Sequence, residues 1–577
     1  MDNKVWEFIS QDEDLKSDLA GKLAISPFLA ALLINRGIGN AREGETFLNP
    51  TFNNLSDPFD LPGMEAAAAR VGEALKNKEP ILVYGDYDAD GVTATALLTL
   101  FLREAGMPVF TYIPHRIDEG YGLHFNPLRE AKKNSGVGLV ISVDCGIGAA
   151  DVVAQAKEIN LDLIITDHHL PSGQVPQGVP LVNPHLGREE KFKSLSGVGV
   201  AFELVRAVAL SQKGNRPNFS EDQVGIDYLD LVATGTIADL SPLRGESRIL
   251  THQGLEILRR APRPAFREIF RQAGIKPGRV DTQTVGWVLG PRINAAGRLS
   301  TADVALQLFL TESESERAAS AEMLEQGNRK RQRLGQKALE AACREIEEQN
   351  LDERSIIIMG NEDWHPGVVG IVAGKIVDRY HRPAIIFGIT PHLAKGSGRS
   401  IPGFHLFEAV QSCRALLISF GGHQKAVGVG VLPERLDEFR CAMEVLAEKS
   451  LKVEELEARI KIDAQIELSD LTPDLIREIE TLAPYGQENP APILASFGLE
   501  VQRYSRVVGK NHLKLWLKQG QVFRQAIYFG MAKLQPSLPA GFLVDVAYVP
   551  KMSGEDGINC VELEIKSLRE SIGQTGG

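Results

Sequence analysis

Between residues 65 and 310 the chain alternates short apolar runs with amphipathic stretches; the runs are "ILVY" (81–84), "VFTYI" (109–113), "LVISV" (139–143) and "LIIT" (163–166). Such runs, lacking a polar face, suit strands buried on both sides, and the helical stretches between them predict a parallel sheet of the α/β class. One of those stretches, "GVTATALLTLFLREAG", starts directly after a row of aspartates. Ahead of this region, residues 1–60 read as an N-terminal helical cap, with "SPFLAALLINRGI" opening at the N-cap Ser26 and closing at Gly37. Behind it, residues 312–350 contain no proline and are rich in helix formers, which predicts a long connector helix. A second, smaller α/β unit follows over 351–452, and from 453 to 577 the pattern becomes strict alternation, as in "HLKLWLK" and "GFLVDVAYVP". Alternating strands separated by turns predict a small β-barrel.

At 577 residues the chain exceeds a single core, which agrees with several domains. No apolar run approaches the roughly 20 residues that span a bilayer, and the N-terminus "MDNKVWEFISQDEDLK" is acidic, so a cytoplasmic protein with no membrane is expected. Five scattered cysteines without a C-x-x-C pair exclude a disulfide framework or a thiolate zinc site. A net charge of −12 argues against coating duplex DNA by bulk electrostatics, though not against basic residues gathered in a groove.

Three of the apolar runs end in ionisable residues: Asp86, Asp88 and Asp90 follow the first, Asp144 follows "LVISV", and Asp167, His168 and His169 follow "LIIT". In an open parallel sheet, ligands bind beyond the carboxyl ends of the strands, so separate segments deliver acids and imidazoles to one place. An aspartate after a strand often only caps the next helix, but three acid clusters in one sheet exceed what capping requires. Unneutralised, such a cluster repels itself. Oxygen ligands with one or two imidazoles suit Mn²⁺ or Mg²⁺, and the carboxylates suffice for two ions, the arrangement that clamps the attacking and leaving oxygens of phosphoester hydrolysis.

The motifs "VYGDYDADG", "VDCGI", "TDHHLP", "NPH" and "ATGTIADL" stand in the order of the DHH phosphoesterase superfamily, and "GPRINAAGRL", "WHPGVVGIVAGK", "GSGRSI" and "GGHQKAVG" resemble its RecJ group, single-strand-specific 5′→3′ DNA exonucleases. The resemblance implies a parallel-sheet DHH catalytic domain over 61–311, a connector helix, a DHH-associated substrate-binding domain over 351–452 and an OB-fold barrel over 453–577. It implies Asp88, Asp90, Asp144, His168 and Asp239 as metal ligands, Asp86 as a further ligand or a group behind them, and His169 as the residue nearest the scissile phosphate. Tyr84 stands where many superfamily members carry histidine, a departure that RecJ-type sequences share.

The resemblance also implies an end-binding pocket built from Arg116, Arg298, Ser397 and Arg399, because arginine forks grip a 5′ phosphate, with Asp118 and Glu119 as competing partners for Arg116. His423 in "FGGHQKAVGVG" is similar to a substrate-binding signature of the second lobe. In "HLKLWLK", Lys514 and Trp516 fall on the face opposite the leucines, the combination that stacks and tracks single strands, unless lysines merely defend an edge. The run "NRKRQR" (328–333) is a solvated helix face or the lining of a channel that admits one strand. "SGVGVAF" (196–202) lacks the third glycine of a dinucleotide fingerprint.

The expected substrate is single-stranded DNA with a 5′ end, acted on by a monomer, with single-strand-binding protein and a RecQ-type helicase as partners the resemblance suggests. A phosphoesterase for short oligonucleotides or cyclic dinucleotides is disfavoured by the barrel, and a non-cutting scaffold by the intact ligand set.

Overall fold

The computed structural model describes residues 4–571 except 11, 117, 172, 213–220, 262, 300, 510 and 554–559, and of residues 221–226 and 453 only the backbone. Its contacts divide the chain into two units, one of residues 49–334 with 484–489, the other of 1–48, 335–483 and 490–577.

In the first unit the apolar runs form a parallel five-stranded sheet. Its spatial order is Val109–Tyr112, Ile81–Tyr84, Leu139–Val143, Asp162–Thr166 and Leu181–Val182. Alternate residues of the Ile81–Tyr84 strand serve two apolar layers: Ile81 and Val83 pack into one, Leu82 and Tyr84 into the other. Burial on both faces explains why the run has no polar position. The chain order reverses between the Ile81–Tyr84 and Leu139–Val143 strands, which pair in register from Ile81↔Leu139 to Tyr84↔Ser142. Such a reversal opens a crevice at the carboxyl ends, where the loops diverge to opposite faces. Asp86 and Asp144 leave those two strand ends.

Tyr84 is structural: its hydroxyl donates to the Gly122 carbonyl (3.1 Å) and accepts from the His124 N–H (3.3 Å), and its ring lies 5.3 Å from that of Tyr112. It takes no place among the acids.

The expected connector is one helix, Glu314–Gln349. Its basic run is locally tied: Arg329 bonds Glu325 at 2.7 Å, and Arg331 bonds Asn328.

In the second unit, the strands Ile357–Asn361 and Ala384–Ile389 are parallel, while Ala394–Arg399, Ala426–Val431 and Leu417–His423 continue the sheet antiparallel. Five further strands close a barrel in the order Leu494–Val501, Leu543–Ser553, Cys560–Glu570, Val522–Tyr528 and His512–Gln519, the last pairing back onto the first through Val501↔Leu517. Leu513, Leu515 and Leu517 fill its interior, as the alternation requires.

The N-terminus differs from an all-helical cap. Ser26 does cap the Pro27–Ile34 helix, but Val5–Phe8 is a strand paired parallel to Arg459–Ile462, and Trp6 donates to Ser567 Oγ at 2.8 Å. Four residues carry too little periodicity to announce a strand whose partner lies some 450 positions away.

Candidate metal centre

Each acid and imidazole of the cluster stands at a strand end or helix terminus. Asp88 caps the Ala89–Glu104 helix, its Oδ1 accepting the N–H groups of Asp90 (2.9 Å) and Gly91 (3.1 Å), so capping and cluster membership coexist in one side chain. Asp90, 1% exposed, accepts from the Gly197 N–H (2.6 Å) and the Val198 N–H (2.9 Å). These open the Gly197–Ser211 helix, whose unpaired N–H groups and dipole favour a carboxylate. The "SGVG" segment therefore holds an acid of the protein itself. Asp144 follows its strand with φ 61°, a left-handed conformation that aspartate tolerates better than most residues. Asp239 is the last residue of the Glu221–Asp239 helix and accepts from Ser241 Oγ at 2.5 Å.

Among the described residues three overlapping sets of ligand-capable atoms result, each within 4.8 Å: Asp86, Asp88 and Asp144; Asp90, His168 and Asp239; and Asp144, His168 and His169. Asp144 and His168 each belong to two sets, so the seven residues form one cluster. His168 Nε2 lies 3.2 Å from Asp144 Oδ1 and 3.8 Å from Asp90 Oδ2. Among the described residues Asp86 Oδ1, Asp144 Oδ1 and His168 Nε2 are buried without a hydrogen bond, and each such atom costs about 1–3 kcal/mol unless something binds it.

Burial, reinforced by neighbouring carboxylates, pushes the carboxyls of Asp86, Asp90 and Asp144 well above the usual range. Burial also lowers the His168 imidazole, favouring the neutral form that can ligate. A divalent charge would invert the carboxylate shifts. The donors are oxygen and imidazole nitrogen without thiolate, so the residues present fit Mn²⁺ or Mg²⁺.

His169, 3.9 Å from Asp144 Oδ1, has closer partners than the acids of the cluster. Its Nδ1 lies 2.8 Å from Asp167 Oδ1 and 3.0 Å from the Tyr121 hydroxyl. Burial lowers its pKa, but the hydrogen bond and charge of Asp167 outweigh that and push it up to about 9. Asp167 also accepts the N–H groups of Ile147, His168 and His169. Burial would raise its carboxyl, yet the His169 hydrogen bond and these donors hold it below the ordinary range.

Arg116 reaches Tyr87, between Asp86 and Asp88, and Gly297, next to Arg298, packs on the Tyr87 backbone. The Arg116 guanidinium lies 4.8 Å over the Tyr87 ring, while Asp118 and Glu119 engage His115 (2.7 Å) and Tyr112 (2.7 Å). Arg298 lies in the last turn of the Gly290–Leu299 helix and acts electrostatically on Tyr87. That helix is fixed to the acidic loop by Asn294 Oδ1, which accepts the Ala89 N–H at 2.8 Å.

In the other unit Ser397 and Arg399 share a face of the Ala394–Arg399 strand, Arg399 Nη1 donating to Ser397 Oγ at 3.2 Å. His423 ends its strand opposite Ala426, which pairs in turn with Arg399. Lys514 and Trp516 line a barrel groove of about 740 Å³ together with Arg503, Tyr504, Arg506 and Phe523. Lys514 lies 3.5 Å from Glu562, and Lys518 lies over Phe523 at 5.6 Å.

Several of these residues are not singled out by the sequence pattern. Asp167 is part of "DHH" without a distinct role, and Asn294 lies within a quoted motif. Tyr121, Arg503 and Tyr504 sit in loops, where no periodicity reports orientation.

Three family models match the chain: the DHH family N-terminal domain at residues 80–236, the DHHA1 domain at 353–449 and the RecJ OB domain at 462–567. The chain is 37% identical over 558 residues to the single-stranded-DNA-specific exonuclease RecJ of Bacillus subtilis (strain 168), covering 96% of this chain and 68% of that protein. To the same-named protein of Escherichia coli (strain K12) it is 33% identical over 524 residues, covering 88% and 89%. The crystal structure of RecJ in complex with Mn²⁺ from Thermus thermophilus superposes with a TM-score of 0.83 at 29% identity, covering 98% of this chain and 79% of that one. A Mg²⁺ complex of the Thermus protein gives a TM-score of 0.76 at 27% identity, covering 98% and 78%.

Proposed function

This chain belongs to the RecJ family, and on that premise we propose that it is a metal-dependent exonuclease that hydrolyses single-stranded DNA from a 5′ end to mononucleotides, in recombination and repair. The observation that carries the reading is the seven-residue cluster with its three unsatisfied buried atoms at the sheet's switch point. Asp88, Asp90, Asp144, His168 and Asp239 would hold two cations, Mn²⁺ or Mg²⁺, with Asp86 closing the set. The cations, when bound, supply Lewis acidity and lower the pKa of the attacking water.

The remaining work falls to the chain's own groups. His169, kept protonated by Asp167, faces the scissile phosphate, where it offsets developing charge or hands a proton to the leaving oxygen. Arg116 and Arg298 bind the phosphate of the strand end; Ser397, Arg399 and His423 contact substrate. Lys514 and Trp516 guide the strand across the barrel.

Asp167→Asn keeps the shape and removes the charge that orients His169. It is expected to lower kcat about 10- to 100-fold with little change in KM, as for other groups that fix a working histidine; steady-state kinetics on a 5′-phosphorylated strand checks this. In the barrel groove Trp516→Ala is expected to weaken strand binding by about 1–3 kcal/mol irrespective of sequence. Arg506→Ala should reduce the salt dependence of log K by about one counterion. Binding isotherms across a salt series read both effects.

The decisive assay compares a 5′-phosphorylated single strand, its duplex and a dinucleotide, each with Mn²⁺, Mg²⁺ or chelator. Metal-dependent release of mononucleotides from the 5′ end of the single strand supports the reading. Preference for the dinucleotide, or binding without cleavage, overturns it. The family resemblance favours a cytoplasmic monomer working with single-strand-binding protein and a RecQ-type helicase; among the described residues no single helix is long and apolar enough to cross a membrane.

A further inference from the structure

Two apolar side chains, one following Asp239 and one on a segment packed against the end of that helix, are more exposed than their chemistry favours. Leu240, next after Asp239, is 70% exposed, and Trp287 is 77% exposed. Burial of side chains this large gains about 1.5–3 kcal/mol each, so a lone one on a surface is ordinary but two on segments that meet at one helix end need a reason.

Leu240 is also held in an unfavourable conformation. The Glu221–Asp239 helix ends with Leu240 N–H bonded to the Ile237 carbonyl and Ser241 N–H to the Thr236 carbonyl, both at 3.2 Å. This closing turn normally puts glycine where Leu240 stands, at φ 64°. A bulky residue there is strained, and such strain collects at functional sites.

Trp287 lies on another segment, which packs against the end of the same helix. It lies on a π-helical turn, Val285–Leu289, which runs directly into the Gly290–Leu299 helix. Turns of this kind frequently mark functional sites. Gly286 and Gly290 bracket the tryptophan, and both touch the end of the aspartate's helix: Cβ atoms added to them would lie 3.9 Å from Ile237 Cγ2 and 2.9 Å from Ala238 Cβ. Trp287 is three residues from Gly290, roughly 5 Å along the axis, on the segment packed against Ile237 and Ala238. The same helix carries Asn294, which holds the acidic loop, and Arg298 beside Tyr87.

We infer that Leu240 and Trp287 form an apolar platform on which a base of the single strand rests beside the cluster, a positioning surface for the hydrolysis proposed above and dependent on that reading. Leu240 directly follows Asp239 of the cluster, and the turn carrying Trp287 runs into the helix that carries Arg298, so the platform lies on elements that also supply the candidate site. An indole face and a leucine offer no hydrogen-bond readout, so the contact accepts any base. A paired base is held in place by its partner and its stacked neighbours, whereas a base of a free strand unstacks and turns readily, so the platform favours unpaired DNA.

The test pairs two variants with modified strands. Trp287→Ala should raise KM for a 5′-phosphorylated single strand by about 5- to 100-fold with kcat nearly unchanged. Leu240→Gly should also raise KM while its Tm stays equal or rises, because glycine relieves the positive φ; a merely structural leucine would give the opposite pattern. Next, strands carrying one abasic nucleotide are stepped along from the 5′ end. At one position the missing base should weaken wild-type binding and abolish the difference between wild type and Trp287→Ala. Unchanged KM in both variants, or variant and abasic effects that add at every position, overturns the inference. A wild-type protein inactive on every unmodified strand would instead sink the exonuclease reading, so the two failures are distinct.

Discussion

Asp144→Asn is expected to reduce strand cleavage by about 10³-fold or more in kcat, about 4 kcal/mol of barrier, while single-stranded DNA still binds. Asp144 is the junction of the cluster, shared by two ligand-capable sets and 2% exposed. Asparagine keeps the shape and accepts the left-handed backbone at φ 61°, so the fold survives the change. Burial and the flanking Asp90, Asp88 and Asp86 already disfavour the ionised carboxylate. The variant in chelator should therefore melt no lower than the parent. The cost appears when Mn²⁺ is added: ligands that bind only the folded form raise Tm, and the variant should lose most of that rise. Retained cleavage, or an undiminished Mn²⁺ shift, would remove Asp144 from the centre.

Gly197→Ala is expected to lower kcat about 10²-fold although residue 197 carries no functional group. A Cβ there would lie 2.5 Å from both Asp144 Cβ and Oδ1, and the Gly197 N–H donates to Asp90 at 2.6 Å. One methyl group therefore displaces two acids at once, at a stability cost of about 1–3 kcal/mol. Gly199→Ala is the control: its nearest neighbour is the Leu195 side chain at 3.1 Å, which can rotate away. Near-normal kcat for Gly199→Ala beside a severe loss for Gly197→Ala would assign the effect to the acids. Equal losses would assign it to the helix.

The two variants differ in how visible their positions are in the chain. Asp144 is legible because an apolar strand of five residues ends in an acid, and a parallel sheet puts such ends together. Gly197 is not, because nothing in "SGVGVAF" says which carboxylates its helix terminus faces. The same contrast separates His168 and His169. The sequence places them side by side, but the structure leaves His168 Nε2 between Asp144 and Asp90 and turns His169 Nδ1 to Asp167. Adjacent residues after a strand point to different sides, and which side meets which acid depends on the loop.

The barrel repeats the lesson. Alternation in "HLKLWLK" divides leucines from Lys514 and Trp516, since a strand has only two faces. It does not reveal Arg503, Tyr504 and Arg506, which join the groove from the preceding loop and strand. The Val5–Phe8 strand is an extreme case, meaningless without Arg459–Ile462 beside it.

What the chain determines by itself is local and periodic: buried strands, the connector helix, the barrel's inner face, and acids at strand ends. These follow from spacing, because a hydrophobic period selects an element and the element aims its side chains. Only the tertiary structure decides which acids come within ligand distance of one another, that His168 faces Asp144 and Asp90 while His169 turns to Asp167, and that the segment carrying Trp287 packs on the helix end that precedes Leu240. Those relations join positions up to about 150 residues apart, and contacts at that range are set by packing, which no local pattern encodes.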